Sequence, residues 1–147
     1  MSGTLDLSSL KDALTSLEES MHVVNAKWFA EQSAQVKNTL MAGVIQHFEI
    51  VYELCIKMMK RRMELGAATP SEIDFSEFRD LLRTAAEKGL VSDVEAWFEF
   101  RKMRNITSHT YSNQKAMEIY GSIQPFVTAA KELFENLKTR KARKSVV

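Results

Sequence analysis

The chain has 147 residues, 45% of them apolar, and 20 Lys and Arg against 19 Asp and Glu give a net charge of +1. That length and apolar content fit one domain with a sizeable core and exclude a disordered polymer, while the near-neutral charge does not by itself point to a polyanion. No run approaches the roughly 18 uninterrupted apolar residues of a membrane span, Met1 to Ser9 lacks the pattern of a secretory signal, and the single cysteine, Cys55, can form neither an internal disulfide nor a Cys-based zinc site; the expected compartment is the cytoplasm, with no membrane partner.

The first predicted helix carries Leu7, Leu10, Leu14, Leu17, Met21 and Val24, spaced by three and four so that they share one face, with Asp6 as its N-cap. The second runs from about Val36 to Leu65. One stripe reads Met41, Ile45, Phe48, Tyr52, Cys55, Met59, Met63 and a neighbouring one Val44, Val51, Leu54, Met58. Two adjacent stripes suit a central helix touching several others. Its outer edge holds Gln46, Glu49, Glu53, Lys57, Lys60 and Glu64, and Gly66 ends it.

Capping boxes follow at Thr69-Pro70-Ser71-Glu72, at Asp74 to Glu77 and at Ser92 to Glu95. The second opens a helix burying Phe78, Leu81, Leu82 and Ala85, which stops at Gly89-Leu90; the third opens a fourth helix with Val94, Trp97, Phe98 and Met103 inward. A fifth helix begins near Ser112-Asn113 and keeps the stripe Ala116, Tyr120, Ile123, Val127, Ala130, Phe134, Leu137. Pro125 lacks an amide hydrogen, so this helix is expected to kink or break between Gly121 and Pro125. No bounded alternating run suggests a strand. The reading is an all-α, up-and-down bundle of about five helices, four long ones forming the core. Residues 1–137 make the single domain, and 138–147, with Lys138, Arg140, Lys141, Arg143 and Lys144, make a basic disordered tail.

The chemistry is concentrated in Phe100-Arg101-Lys102-Met103-Arg104-Asn105-Ile106-Thr107-Ser108-His109-Thr110-Tyr111, where the fourth helix is expected to give out. Arg104 offers a forked cation, Asn105, Thr107 and Ser108 neutral donors, and His109 a proton exchangeable near pH 7, a set suited to phosphate. Residues five apart on an unbroken helix point about 140° apart. Arg104 and His109 can therefore meet on one phosphate only if the helix breaks between them, or if a second chain supplies its own copy. The plainer reading has Arg104 bridging to a carboxylate, His109 capping the last helix and Tyr111 as a half-buried aromatic. Glu49 and Glu53 share a helix face and form a solvated edge, or hold Arg104 from across the bundle. Glu19-x-x-His22 is half of a dimetal motif with no second half, so no metal is expected. Cys55 and the Met-rich run read as packing.

Arg104-Asn105-x3-His109-x-Tyr111, together with Gln46-His47-Phe48-Glu49-Ile50-Val51-Tyr52-Glu53-Leu54, resembles the HEPN superfamily of small helical bundles. The resemblance spans about Leu5 to Arg140 and is to the branch encoded beside a minimal nucleotidyltransferase, the nucleotidyltransferase substrate-binding proteins. It implies a homodimer with facing motifs and a metal-independent endoribonuclease toxin needing no cofactor. His109 would move protons, Arg104 would hold the phosphate and Asn105 would orient them, with Glu49, Glu53 and Ser108 in support. It also implies a cognate nucleotidyltransferase antitoxin that adds AMP to Tyr111. Two further readings stay open: a non-catalytic subunit presenting substrate or nucleotide to that nucleotidyltransferase, and a purely structural helical dimer.

Overall fold

A computed structural model describes residues 5–66, 77–109 and 113–146. Seven helices are present among the described residues: α1 (Ser8–Asn25), α2 (Lys27–Ala30), α3 (Ala34–Gly66), α4 (Phe78–Glu87), α5 (Val94–His109), α6 (Asn113–Tyr120) and α7 (Ile123–Val146). The all-α bundle read from the sequence is therefore the fold, with α1, α3, α5 and α7 as its long members. The count rises from five because a single turn, α2, follows the end of α1 and because the last predicted helix is two.

The N-cap position of α1 is Leu7 rather than Asp6, and Asp6, one residue earlier, accepts hydrogen bonds from the Ser8 amide (3.0 Å) and hydroxyl (2.7 Å). These bonds favour its ionised form and lower its pKa. Leu10, Leu14, Leu17, Met21 and Val24 then bury the α1 face against α3. Helix α3 is central, packing against α1, α4, α5, α6 and α7. By length and composition it could cross a membrane, but here both of its stripes, from Met41 to Met63, are buried within the bundle except for half-buried Leu54. Burial of those stripes against several neighbours, rather than helix propensity, stabilises it.

Helix α4 ends in a Schellman motif. The Leu90 amide bonds the Ala85 carbonyl (2.9 Å), the Gly89 amide bonds the Ala86 carbonyl (3.0 Å), and Gly89 sits at φ 78°, where a side chain would be strained. The cap of α5 differs from expectation: the Asp93 carboxylate accepts the Ala96 amide (3.1 Å), while the Ser92 hydroxyl donates to Glu132 of α7 (3.0 Å). The capping boxes at Thr69 and Asp74 lie outside the described residues.

The expected break in the last helix is real. Gly121 and Ser122 form the turn between α6 and α7, with the Ser122 amide on the Ile119 carbonyl (2.8 Å). Pro125 thus falls in the first turn of α7, where amides have no intrahelical partner to lose. Ile123, Val127, Ala130 and Leu137 of the expected stripe are buried. Ile119, Phe126 and Leu133 are buried, whereas Tyr120 and Phe134 of the extrapolated stripe are only half-buried. Phe126 is the hub of the core, with ring centroids at 4.9 Å from Phe48, 5.1 Å from Phe100, 6.0 Å from Trp97 and 6.5 Å from Tyr52. It joins α3, α5 and α7. Beyond Leu137, α7 continues to Val146 and carries the basic residues from Lys138 onward.

Candidate functional site

The core sets the site by an offset of one residue on each of two helices. On α5, Trp97, Phe100 and Met103 face inward, so Arg104, one step of about 100° past Met103, lies on the flank of the buried stripe. On α3, Phe48 and Tyr52 are buried, which puts Glu49 and Glu53 on the flank that α5 approaches. Arg104 bridges the two helices: its Nε donates to Glu53 Oε2 (3.0 Å) and its Nη1 to Glu49 Oε2 (3.4 Å). Arg104 and Glu49 side chains are each 25% exposed and Glu53 is 61% exposed, so the pair is wet on one side. Both the bridging role for Arg104 and the option that Glu49 and Glu53 hold it across the bundle are realised together.

Beneath the pair lies Tyr52. Burial pushes its phenol up to about 12, with Glu53 and Cys55 adding to the rise and Arg101 and Arg104 working against it. Tyr52 is thus a neutral hydroxyl at any ordinary pH. Asn105 and Ile106 are exposed on the outer side of α5. Thr107, one of the neutral donors suggested for phosphate, donates instead to the Arg104 carbonyl (2.8 Å).

Helix α5 does not give out between Arg104 and His109. It runs unbroken to His109, so positions 104 and 109 stand about 140° apart around one helix. The side chains of Ser108 and His109 and the whole of Tyr111 lie outside the described residues. Among the described residues no three His, Cys, Asp or Glu side chains gather as metal ligands would, and Glu19 and His22 are not brought into any such group.

Two clefts flank α5. One, of about 230 Å3 between α3, α4 and α5, is lined by Tyr52, Glu53, Ile56, Lys60, Phe78, Leu81 and Arg101 and adjoins the Arg104 pair through Glu53. Neither Lys60 nor Arg101 stands out in the sequence as a site residue. Their signal is spacing alone, Arg101 one turn before Arg104 and Lys60 two turns after Glu53. The other, of about 610 Å3 between α5 and α7, has Trp97, Phe100, Met103 and Pro125 on its floor and Asp93, Glu99 and Glu132 at its rim. An acidic rim repels a polyanion.

The family described as nucleotidyltransferase substrate binding protein like matches residues 5–139. The chain belongs to that family. A Haemophilus influenzae protein named "Probable ribonuclease HepT" is 43% identical over 141 residues, covering 95% of this chain and 97% of that one. A solved structure from Haemophilus influenzae, described as the fold of a substrate binding domain of a nucleotidyltransferase, superposes with a TM-score of 0.86 at 42% identity over 90% of this chain and 99% of that one.

Proposed function

We propose that this member of the nucleotidyltransferase substrate-binding family is the toxin of a toxin–antitoxin pair, a metal-independent endoribonuclease that works as a homodimer. The observation that carries the reading is Arg104 held at the flank of α5 by Glu53 and Glu49, five residues before His109 on the same helix. The relative named as a ribonuclease supports it. In this account Arg104 binds the scissile phosphate and stabilises charge developing on it. His109 takes the proton from the attacking 2′-hydroxyl or returns one to the leaving oxygen, and Asn105 orients the groups. The products are a 2′,3′-cyclic phosphate and a free 5′-hydroxyl. Ser108 is a supporting donor. A cognate nucleotidyltransferase silences the toxin by adding AMP to Tyr111, a bulky anion that competes with RNA for the motif's positive charge.

The unbroken α5 makes the second subunit necessary to this mechanism. With 104 and 109 about 140° apart on one helix, the arginine of one protomer works with the histidine of the other. Mixing inactive Arg104→Ala and His109→Ala proteins under subunit exchange should therefore restore cleavage of single-stranded RNA in excess chelator. Recovery should approach about one quarter of the sites, because half the pairings are mixed and each mixed pair holds one intact combination. Dimeric, folded variants that regain nothing on mixing would overturn the composite site.

A second reading has support of its own in the family description and in the description of the solved relative, both of which name substrate binding for a nucleotidyltransferase. Here the chain presents a substrate or nucleotide to that enzyme and cleaves nothing. Unmodified, partner-free protein that leaves RNA intact and binds the nucleotidyltransferase would favour it.

A further inference from the structure

We propose that the cleft between α3, α4 and α5 is a second phosphate subsite, where Lys60 and Arg101 hold the backbone phosphate of single-stranded RNA next to the one at Arg104. The inference rests on the ribonuclease reading above and gives its substrate a direction along the molecule.

Lys60 enters the cleft from α3 and Arg101 from α5. Among the described residues neither is ion-paired, whereas Lys102, Arg83, Lys115, Lys131 and Lys138 all are. Arg101 is held in place without a carboxylate: its guanidinium lies 4.6 Å over the centre of the Phe78 ring. A guanidinium held over a ring by this attraction keeps N–H donors that no carboxylate occupies, the groups that read phosphate. Arg101 and Arg104 are one turn apart on α5, about 5–6 Å between Cβ atoms, the scale of a single nucleotide step. Tyr52 also lines the cleft, and as a neutral phenol it donates to an anion rather than repelling it. Glu53 is the opposing group, but its carboxylate is already engaged by Arg104 at 3.0 Å. Lys60, Arg101 and Arg104 against Glu49 and Glu53 leave one positive charge. The wider α5–α7 groove presents Asp93, Glu99 and Glu132 instead. Compared with that groove, the smaller cleft has the sign for a phosphate chain.

The test uses the full chain and a 2′-O-methyl RNA hexamer, which cannot be cleaved because the attacking oxygen is blocked, so binding is read apart from catalysis. Wild type, Lys60→Gln/Arg101→Gln, Lys60→Glu and Lys102→Gln are titrated at several salt concentrations, with ATP as a separate arm and circular dichroism to check folding. The double variant and Lys60→Glu should bind the hexamer several-fold more weakly. The double variant's log–log salt slope should be shallower by about 0.7, the value for one single-strand phosphate contact. Lys102→Gln should match wild type. On cleavable RNA the double variant should raise KM and keep kcat. An unchanged affinity and slope in the double variant would overturn the subsite, as would wild type binding ATP as tightly as the hexamer with both lost alike. Wild type that binds the hexamer through Lys60 and Arg101 but cleaves no RNA would leave the subsite standing and remove the ribonuclease reading instead.

Discussion

Replacing both Glu49 and Glu53 by Gln keeps shape and hydrogen-bonding capacity at the Arg104 junction while removing two negative charges. Glu53 is 61% exposed, so its ion pair stabilises by about 0.2–1 kcal/mol; the less exposed Glu49 contributes on the order of 1 kcal/mol. The double variant should therefore be about 1–2 kcal/mol less stable, and at about 2–4 °C per kcal/mol for a chain of this size its Tm should fall by about 2–8 °C. Its kinetics should move in a way that stability alone does not explain. Without its two carboxylate anchors the guanidinium loses its orientation over the phosphate, and each 1.4 kcal/mol lost from the transition state is about tenfold in rate; kcat should drop about 10- to 100-fold. KM for RNA should hold or fall, since two charges that repel the substrate are gone. Cleavage of a fluorogenic oligoribonucleotide, followed over a range of substrate concentrations, separates the two constants. A kcat at or above wild type would refute the positioning role and would mean that the carboxylates compete with substrate for Arg104.

Two further outcomes are expected. Phe126→Ala empties the hub between Phe48, Trp97, Phe100 and Tyr52 and should cost about 3–5 kcal/mol, read as a lowered denaturant midpoint; a loss below about 1 kcal/mol would contradict the packing. Tyr52 holds its proton to about pH 12 in the folded state, against about 10 when unfolded. Its contribution to stability is therefore intact below pH 10 and lost as pH rises through about 12, by a few kcal/mol at most. Tyr52→Phe should flatten that alkaline loss relative to wild type in denaturant melts, and parallel pH profiles would argue against a buried phenol.

How far the sequence could be read depended on whether a feature is local. The α1 face from Leu10 to Val24, both α3 stripes and the Gly89 stop follow from spacing and backbone sterics within one turn or two, and all are present as expected. On α7, Ile123, Val127, Ala130 and Leu137 are buried as the spacing predicted, but Phe126 and Leu133 are buried beside them and Phe134 only partly, because the helix meets both α1 and α3 and so buries a face wider than one stripe. The helix limit at the motif was misread. Ile106 and Thr107 have weak helix propensity, but propensity is a small term beside packing, and the Thr107 hydroxyl bonds the Arg104 carbonyl without breaking α5. The contact of Arg104 with Glu49 and Glu53 joins residues 55 and 51 positions apart. Sequence supplied it as one option among several, because only the packing of α5 on α3 decides which edge the arginine meets.

The one-residue offset between core and site explains why the same helices can serve stability and chemistry separately. Met103 and Tyr52 are buried, and their neighbours Arg104 and Glu53 are on the wet flank. The core needs apolar volume at the first pair and tolerates any soluble side chain at the second, so nothing in the folding of α3 and α5 requires an arginine facing two glutamates there. An Arg104 substitution removes only partly exposed ion pairs, each weak in water, whereas a Phe126 substitution opens a cavity among four rings. Loss of function with a retained fold is thus the expected signature at Arg104, and loss of fold the expected signature one layer beneath it. An arginine whose removal unfolded the protein would have to be structural, and the case for phosphate chemistry at this junction would fall with it.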